Sequence, residues 1–234
     1  MPAPNSACVI LVPAFSQPVG KCEEGLRELE KRGYPIRRAR GFSAIDQGRN
    51  QMASDALHAG FAETMWIDTD IGFDADSVER LRSHGLPIVC GLYPQPGARS
   101  IACQLLPGTK KVIFGEEGGL MEIMYAAAGF LHVRREAYEL IRDKLKLPLC
   151  NTRFGAGMWP FFQSFATENP DLGAKIRHRY LTEDFAFSHR ARESGLKIMA
   201  DAGIRLWRVG SYGYGWEEAG SDSERFDTYY FHIE

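Results

Sequence analysis

The first 92 residues alternate strand and helix four times over, and few folds accept that order. Residues 8–12 (CVILV) are a near-continuous apolar run closed by Pro13, and 21–32 then spaces Cys22, Leu26 and Leu29 at helical intervals among charges. Gly33 stands just past that helix, where a left-handed cap is needed. Residues 34–39 supply a second strand, and 48–59 sets Met52, Ala53, Ala56 and Leu57 on one helical face before Gly60. Met65, Trp66 and Ile67 make a third apolar run; Asp74 caps a helix over 75–84 ended by Gly85, and 87–92 (PIVCGL) is a fourth strand. Unbroken apolar runs are the mark of strands covered on both faces. The order predicts an α/β fold with a mostly parallel central sheet and helices on both faces.

Beyond residue 92 the pattern changes. Short strand-like pieces over 101–105, 111–114 and 120–125 sit among prolines and glycines, and Pro107-Gly108-Thr109 predicts a hairpin between the first two. A strand over 129–133 and a helix over 134–145 follow, then a Gly- and aromatic-rich stretch, 151–163, that reads as a loop or lid. A helix over 181–194, stopped by Gly195, and a strand over 197–200 come last before a tail rich in Gly, Tyr, Trp and Glu. No linker or repeat divides the 234 residues, so one domain is expected, with 1–92 and 93–234 as its two halves.

The bulk properties narrow the function by exclusion. A net charge of −2 gives no global attraction to nucleic acid or membrane, and the one dense basic patch (Arg37, Arg38, Arg40) reads as a solvated strand edge. Five scattered cysteines have neither metal-ligand nor redox spacing and are expected as reduced thiols. The apolar run at the start is too short to span a bilayer and lacks a charged leader, so a cytoplasmic protein with no transmembrane segment is expected.

The chemistry concentrates in WIDTDIGF, where an apolar strand runs into Asp68, Thr69 and Asp70. Alternation along an extended chain puts residues i and i+2 on one face, so the two carboxylates are expected to point together. Side by side they repel unless a cation lies between them, and a hard divalent ion with open positions for phosphate oxygens suits the pair. An isolated D-x-D is also a common polar turn, so the context decides.

That context resembles the GT-A glycosyltransferases, the family 2-like ones in particular, through five motifs in order over residues 7 to 216: VILVPAF, GRNQMASDAL, WIDTDIGF with PIVCGLYP, AAAGFLHVRREAYELI, and LTEDFAFSHRARESGLKI. The resemblance implies a GT-A (nucleotide-diphospho-sugar transferase) fold with a smaller mixed acceptor-side region. It implies transfer of a sugar from a UDP- or GDP-sugar to a glycan or small hydroxyl acceptor. Pro13, Ala14 and Phe15, Asp46, Arg49 and Asn50, and Asp68, Thr69 and Asp70 all fall where an open α/β sheet binds its ligand, beyond the carboxyl ends of strands. Asp68 and Asp70 are the implied ligands of Mn2+ or Mg2+, and Asp184 the implied general base beside Glu183. Arg49 either adds positive charge at the diphosphate or caps its helix.

One departure from the family stands out. Many members supply a further metal ligand, often His, from a segment matching IRLWRVGSYGYGWEEAG, and the aligned position here holds Arg208. Arginine has no lone pair to donate. Three consequences stay open: a weakly held metal, an arginine that bridges the diphosphate, or lost activity. A nucleotide-sugar binding protein and a retaining transferase are therefore the alternatives to an inverting transferase. A nucleotidyltransferase ranks last, because the place after the first strand holds PAFSQPVG rather than a Gly-rich basic loop. Trp159, Trp207, Tyr212, Tyr214 and Trp216 suit either sugar stacking or packing, and His178 and His189 read as structural.

Overall fold

The computed structural model describes residues 4–14, 17–95, 100–168, 178–210, 212–216 and 228–232. Its centre is an eight-stranded sheet in the order β2-β1-β3-β9-β5-β12-β8-β6. Here β1 is Cys8–Pro13, β2 Ile36–Ala39, β3 Glu63–Ile67, β5 Ile88–Gly91, β6 Cys103–Leu105, β8 Leu120–Ala126, β9 Phe130–Arg134 and β12 Ile198–Asp201. Six strands run one way and only β8 and β9 oppose them. This is the mostly parallel α/β sheet that the alternation predicts, and strands from both halves of the chain build it.

Alternation along each strand divides the core in two. Val9 and Leu11 of β1, Trp66 of β3, and Ile88 and Cys90 of β5 pack on one face with helices α2 (Ile45–His58), α4 (Arg135–Leu145) and α5 (Glu183–Glu193). Cys8, Ile10, Val12, Met65, Ile67 and Val89 face the other way, against α1 (Gly20–Lys31) and α3 (Ala75–Ser83). β1 and β5 are buried on both sides along their whole length, which is why no polar residue interrupts their runs. No described helix is long and apolar enough to cross a membrane.

Several local expectations are corrected. Helix α2 begins at Ile45 rather than at residue 48, so Asp46 joins Arg49 and Asn50 in its first turns. Gly48 sits hard against the Phe42 ring, where a Cβ would come within 2.7 Å, and this lets the ring pack on the first turn of the helix. Asp74 occupies the first cap position of α3 but makes no side-chain cap bond; its carboxylate meets Lys21 Nζ at 3.2 Å instead.

The predicted hairpin over 101–114 is not formed. The turn at Gly108 exists, with φ +83°, but β6 pairs with β8, while β7 (Lys111–Gly115) pairs with β15 (Thr228–His232). A register shift at Gln104/Leu105 marks where the chain breaks step before that turn. The stretch 151–163 is only partly a loop: Phe161 and Phe162 are fully buried, and Phe162 stacks on Phe187 with centroids 4.6 Å apart. Lacking a helical or strand period, these two rings carried no sequence signal for the core.

A smaller sheet lies at the carboxyl edge of the large one. β4 (Ile71–Gly72), directly after the D-x-D, pairs antiparallel with β13 (Trp207–Val209), which pairs with β14 (Gly213–Tyr214). β10 (Phe165–Glu168) and β11 (His178–Leu181) form a separate ribbon leading into α5.

Candidate functional site

Parallel strands connected through helices put strand carboxyl ends and helix amino ends on one edge of the sheet. Here that edge brings together the end of β3, the start of α2, the start of α5 and the small sheet. Trp66 and Ile67 are fully buried, so Asp68 is the first residue free to leave the sheet. Residues 69 and 70 do not continue the strand: Ile71 N–H donates to the Asp68 carbonyl at 3.1 Å, closing a turn. Strand alternation therefore does not govern Asp68 and Asp70, and each carboxylate finds its own cation.

Asp68 is held by Arg49, whose Nη2 donates to Oδ1 at 2.8 Å and to Oδ2 at 3.1 Å. Arg49 Nε lies 3.6 Å from Glu183 Oε1, at the first turn of α5. One guanidinium thus ties the D-x-D to the T-E-D segment 115 positions further on. Its side chain is 3% exposed, and burial alone would discourage its charge; Asp68 and Glu183 outweigh that and raise its pKa. Nε and Nη1 have no hydrogen-bond partner among the described residues, and the guanidinium lies 5.5 Å from the Trp66 ring. Glu183 is pushed above the usual carboxylate range by burial and then by Asp184, with Arg49 opposing. Asp184 Oδ1 accepts from Thr182 Oγ1 at 2.7 Å and from the Phe185 N–H at 2.8 Å, which fixes its rotamer at the helix start.

Asp70 is held by Arg208, Nε to Oδ2 at 2.9 Å. The backbone sets this meeting: Arg208 faces Ile71 in the β13–β4 ladder, and Val209 N–H donates to the Asp70 carbonyl at 2.8 Å. The Arg208 guanidinium also lies 5.7 Å from the Tyr93 ring. Tyr93 is buried just past β5, accepts the Gly129 N–H at 2.9 Å on its hydroxyl oxygen, and has its pKa raised by that burial. Gly129 has to be glycine, since a Cβ there would strike the Tyr93 hydroxyl and come within 3.1 Å of Asp68 Oδ2. Tyr93 and Gly129 were not named as site residues from the sequence, although both fall within motifs of the resemblance, PIVCGLYP and AAAGFLHVRREAYELI.

The remaining predicted residues divide. Pro13 and Ala14 are buried at the end of β1, where Ala14 N–H donates to the Ala39 carbonyl at 2.8 Å; Phe15 lies outside the described residues. The Thr69 carbonyl accepts the Val19 N–H at 2.9 Å, so the turn is pinned to the start of α1. Asn50 Oδ1 accepts the Phe162 N–H at 2.6 Å. Asp46 Oδ1 accepts the Gln47 N–H at 2.8 Å. Trp159 stacks on His58 and Trp216 packs on Phe114, both packing roles, whereas Trp207 lies under Lys21 Nζ at 4.4 Å beside the site. His189 meets the Tyr125 hydroxyl at 2.9 Å, a structural contact.

A second polar cluster, Cys8, Glu63 and His132, is wholly buried at the opposite edge of the sheet, with its ligating atoms within 4.8 Å of one another. Arg82 decides its nature. Its Nε donates to Glu63 Oε2 at 2.6 Å, and its Nη1 donates to Tyr34 Oη and Asn5 Oδ1, both at 2.8 Å. Glu63 is already bound by the Arg82 guanidinium, which also reaches Glu79 at 3.9 Å, and this cluster of paired groups reads as a structural hub.

The D-x-D cluster is not balanced. Asp68, Asp70, Glu183 and Asp184 face Arg49 and Arg208, so two formal negative charges remain among the described residues. Hard oxygen donors with that excess suit one divalent ion on Asp68 and Asp70. The misfit lies at both carboxylates: Arg49 takes up both oxygens of Asp68, Arg208 takes up Asp70 Oδ2, and neither arginine can ligate.

No protein-family model matches the chain, and no curated protein matches it. Among solved structures it is similar to A197 from STIV, with TM-score 0.53 and 15% identity over 87% of this chain and 85% of that one. It is also similar to GalNAc-T7 solved with UDP, GalNAc and Mn2+ (TM-score 0.46, 13% identity), with 88% of this chain matching 39% of that one. A third similarity is to the inositol-1-phosphate CTP transferase from T. maritima, with TM-score 0.40, 9% identity, and 89% and 91% of the two chains covered. These likenesses are of fold, and the fold is the mostly parallel α/β type that the alternation of strands and helices predicts.

Proposed function

We propose that the chain is a glycosyltransferase that moves a sugar from a UDP- or GDP-sugar to a hydroxyl acceptor, with inversion at the anomeric carbon. One observation carries this reading: Arg49 joins Asp68, at the end of β3, to Glu183, at the start of α5. A diphosphate anchor and a candidate base thereby stand in one charged cluster at the ligand-binding edge. Residues 1–92 supply the nucleotide side of that edge and 93–234 the acceptor side.

In the proposed reaction the acceptor oxygen attacks the anomeric carbon while Asp184 takes its proton. The bond from that carbon to the diphosphate oxygen breaks, and the nucleoside diphosphate leaves with the electron pair. Glu183 works through Arg49, keeping Asp68 in place. Mn2+ or Mg2+ on Asp68 and Asp70 would supply Lewis-acid neutralisation of the leaving diphosphate. A thermal-shift panel of UDP- and GDP-sugars, with and without Mn2+, tests donor binding, since a ligand held only by the folded state raises its melting temperature. Release of UDP or GDP in the presence of broad acceptors tests turnover. If no nucleotide sugar shifts the transition, the reading fails.

A second reading, a nucleotide-sugar binding protein without turnover, is favoured by the Arg208–Asp70 pair. It predicts donor binding with no diphosphate release under any metal.

A further inference from the structure

We infer that the loop 146–157 is a membrane-surface contact: Phe154 and Leu149 enter the headgroup layer of an anionic bilayer while Lys144, Lys146 and Arg153 lie against its phosphates. This contact goes beyond the donor reading and does not depend on what the ligand edge binds. The loop follows α4 and is pinched at its neck, where Cys150 N–H donates to the Met158 carbonyl at 2.8 Å and Met158 N–H to the Cys150 carbonyl at 2.9 Å. Thr152–Phe154 is a single 3-10 turn at the tip, and residues 151–156 are all exposed. Phe154 is 82% exposed, more than any other large apolar side chain among the described residues, and Leu149 at the neck is 43% exposed. Two large apolar groups held outward on one closed loop, rather than scattered singly, mark a contact site.

Charge selects the partner. No Asp or Glu occurs from residue 144 to residue 167, whereas Lys144, Lys146 and Arg153 are exposed. The Arg153 guanidinium lies 5.9 Å from the Phe154 ring, so cation and ring reach a surface together. Acids on the flanking helices are engaged: Asp143 accepts from Arg142 at 2.7 and 3.2 Å, and Asp55 from Gln51 at 2.8 Å. A second copy meeting this tip across a two-fold axis would set the cations against their own kind. An anionic bilayer supplies the opposite charge and admits a ring at headgroup level without a shaped pocket. The net charge of −2 does not oppose this, because the attraction acts within a Debye length, about 10 Å at 0.1 M salt.

The neck is tied to the ligand edge. The Gly157 carbonyl meets His58 Nε2 at 3.3 Å, Trp159 stacks on His58 and donates its N–H to Ser54 Oγ at 2.8 Å, and Phe162 N–H reaches Asn50, next to Arg49. Residues 157–162 therefore run along α2 from its last turn back to its first, a distance of about 12 Å. A tip seated on lipid thus sets how far the site cluster stands from the bilayer.

The test is sedimentation of the full chain with vesicles of phosphatidylcholine alone and with about 30% phosphatidylglycerol. Uptake by the anionic vesicles, little by the neutral ones, and release at about 0.5 M salt is the expected result. Phe154→Ala should lower the partition constant roughly ten- to a hundredfold, and Lys144→Gln and Arg153→Gln about fivefold each, all without a change in Tm because these side chains are exposed. Phe154→Trp should be quenched by brominated lipid beyond the wild-type level. Tyr180→Ala, 68% exposed on β11, should bind as wild type does.

Four results would overturn the inference: wild-type protein that anionic vesicles leave in solution, which is what a protein partner in place of lipid would give; equal uptake by neutral vesicles; Phe154→Ala bound as tightly as wild type; or Phe154→Trp quenched no more than wild type. The wild-type sedimentations decide the first two whatever the variants do.

Discussion

Arg49→Met is the sharpest test of how this site is held together. The substitution keeps an unbranched apolar stem of similar girth but leaves Asp68 and Glu183 without the cation that joins them. Removing one partner of a buried pair costs about 3–5 kcal/mol. Two features lower that here. The carboxylates are 24% and 17% exposed and can rehydrate in part, and Arg49 already leaves Nε and Nη1 without hydrogen bonds. Relieving those two buried donors returns on the order of 1–3 kcal/mol. The expected net destabilisation is roughly 2 kcal/mol, which for a chain of this size is a fall of about 4–8 °C in Tm.

The pH dependence gives the prediction a sign. Burial, and then Asp184, already raise the Glu183 pKa in the folded state above its unfolded value, near 4.3. A carboxyl with a raised folded pKa contributes stability that is complete below its unfolded value and is lost as pH rises through the folded one. Without Arg49 to oppose the shift, Glu183 should climb further and the loss should deepen. Urea unfolding of wild type and Arg49→Met at pH 4.5 and pH 8 therefore checks the argument, with the larger difference expected at pH 8. Equal stability at pH 8 within about 0.5 kcal/mol, or a difference that grows toward acid, would refute it.

Asp184→Asn should keep donor binding and lower turnover by about a hundredfold or more, as loss of a general base does; unchanged kcat would move the base elsewhere. Gly129→Ala should destabilise the fold by about 1–3 kcal/mol, measured by denaturant unfolding, and also weaken donor binding, because its Cβ meets Tyr93 and Asp68 together. Glu63→Gln probes the structural hub: burial alone would raise this carboxyl, but His132 and Arg82 bring it down to about 2. A depressed folded pKa contributes stability present above the unfolded value and lost as pH falls through the folded one. The variant should therefore be destabilised at pH 7, by about 2–4 kcal/mol, with the gap closing between roughly pH 4 and pH 2 in urea unfolding.

The sequence spoke most clearly where burial is two-sided. The runs at 8–12, 65–67 and 88–91 announced strands because every position had to be apolar, and the sheet edge that carries the candidate site followed from their order. It spoke poorly where a polar residue serves structure. Asn50, expected as a ligand contact, also holds the backbone of Phe162 through Oδ1, a role with no sequence signal. Phe161 and Phe162, in a stretch with no period, turned out to be core. The two arginine–carboxylate pairs join residues 19 and 138 positions apart, and long-range pairing of this kind leaves no periodic trace. Tyr93 and Gly129 are also shaped by one contact between distant segments.

The short ladder between β4 and β13 works as a socket. Its hydrogen bonds run through main-chain atoms, so the registry of residue 208 against the residue after Asp70 does not depend on which side chain stands there. A histidine, a lysine or an arginine at 208 would be delivered to the same carboxylate from the same distance along the strand. Chains sharing this geometry can therefore exchange a ligating side chain for a permanently charged one by a single substitution. The backbone around the substrate need not be rebuilt, and such exchanges can change the metal requirement while leaving the shape of the site intact.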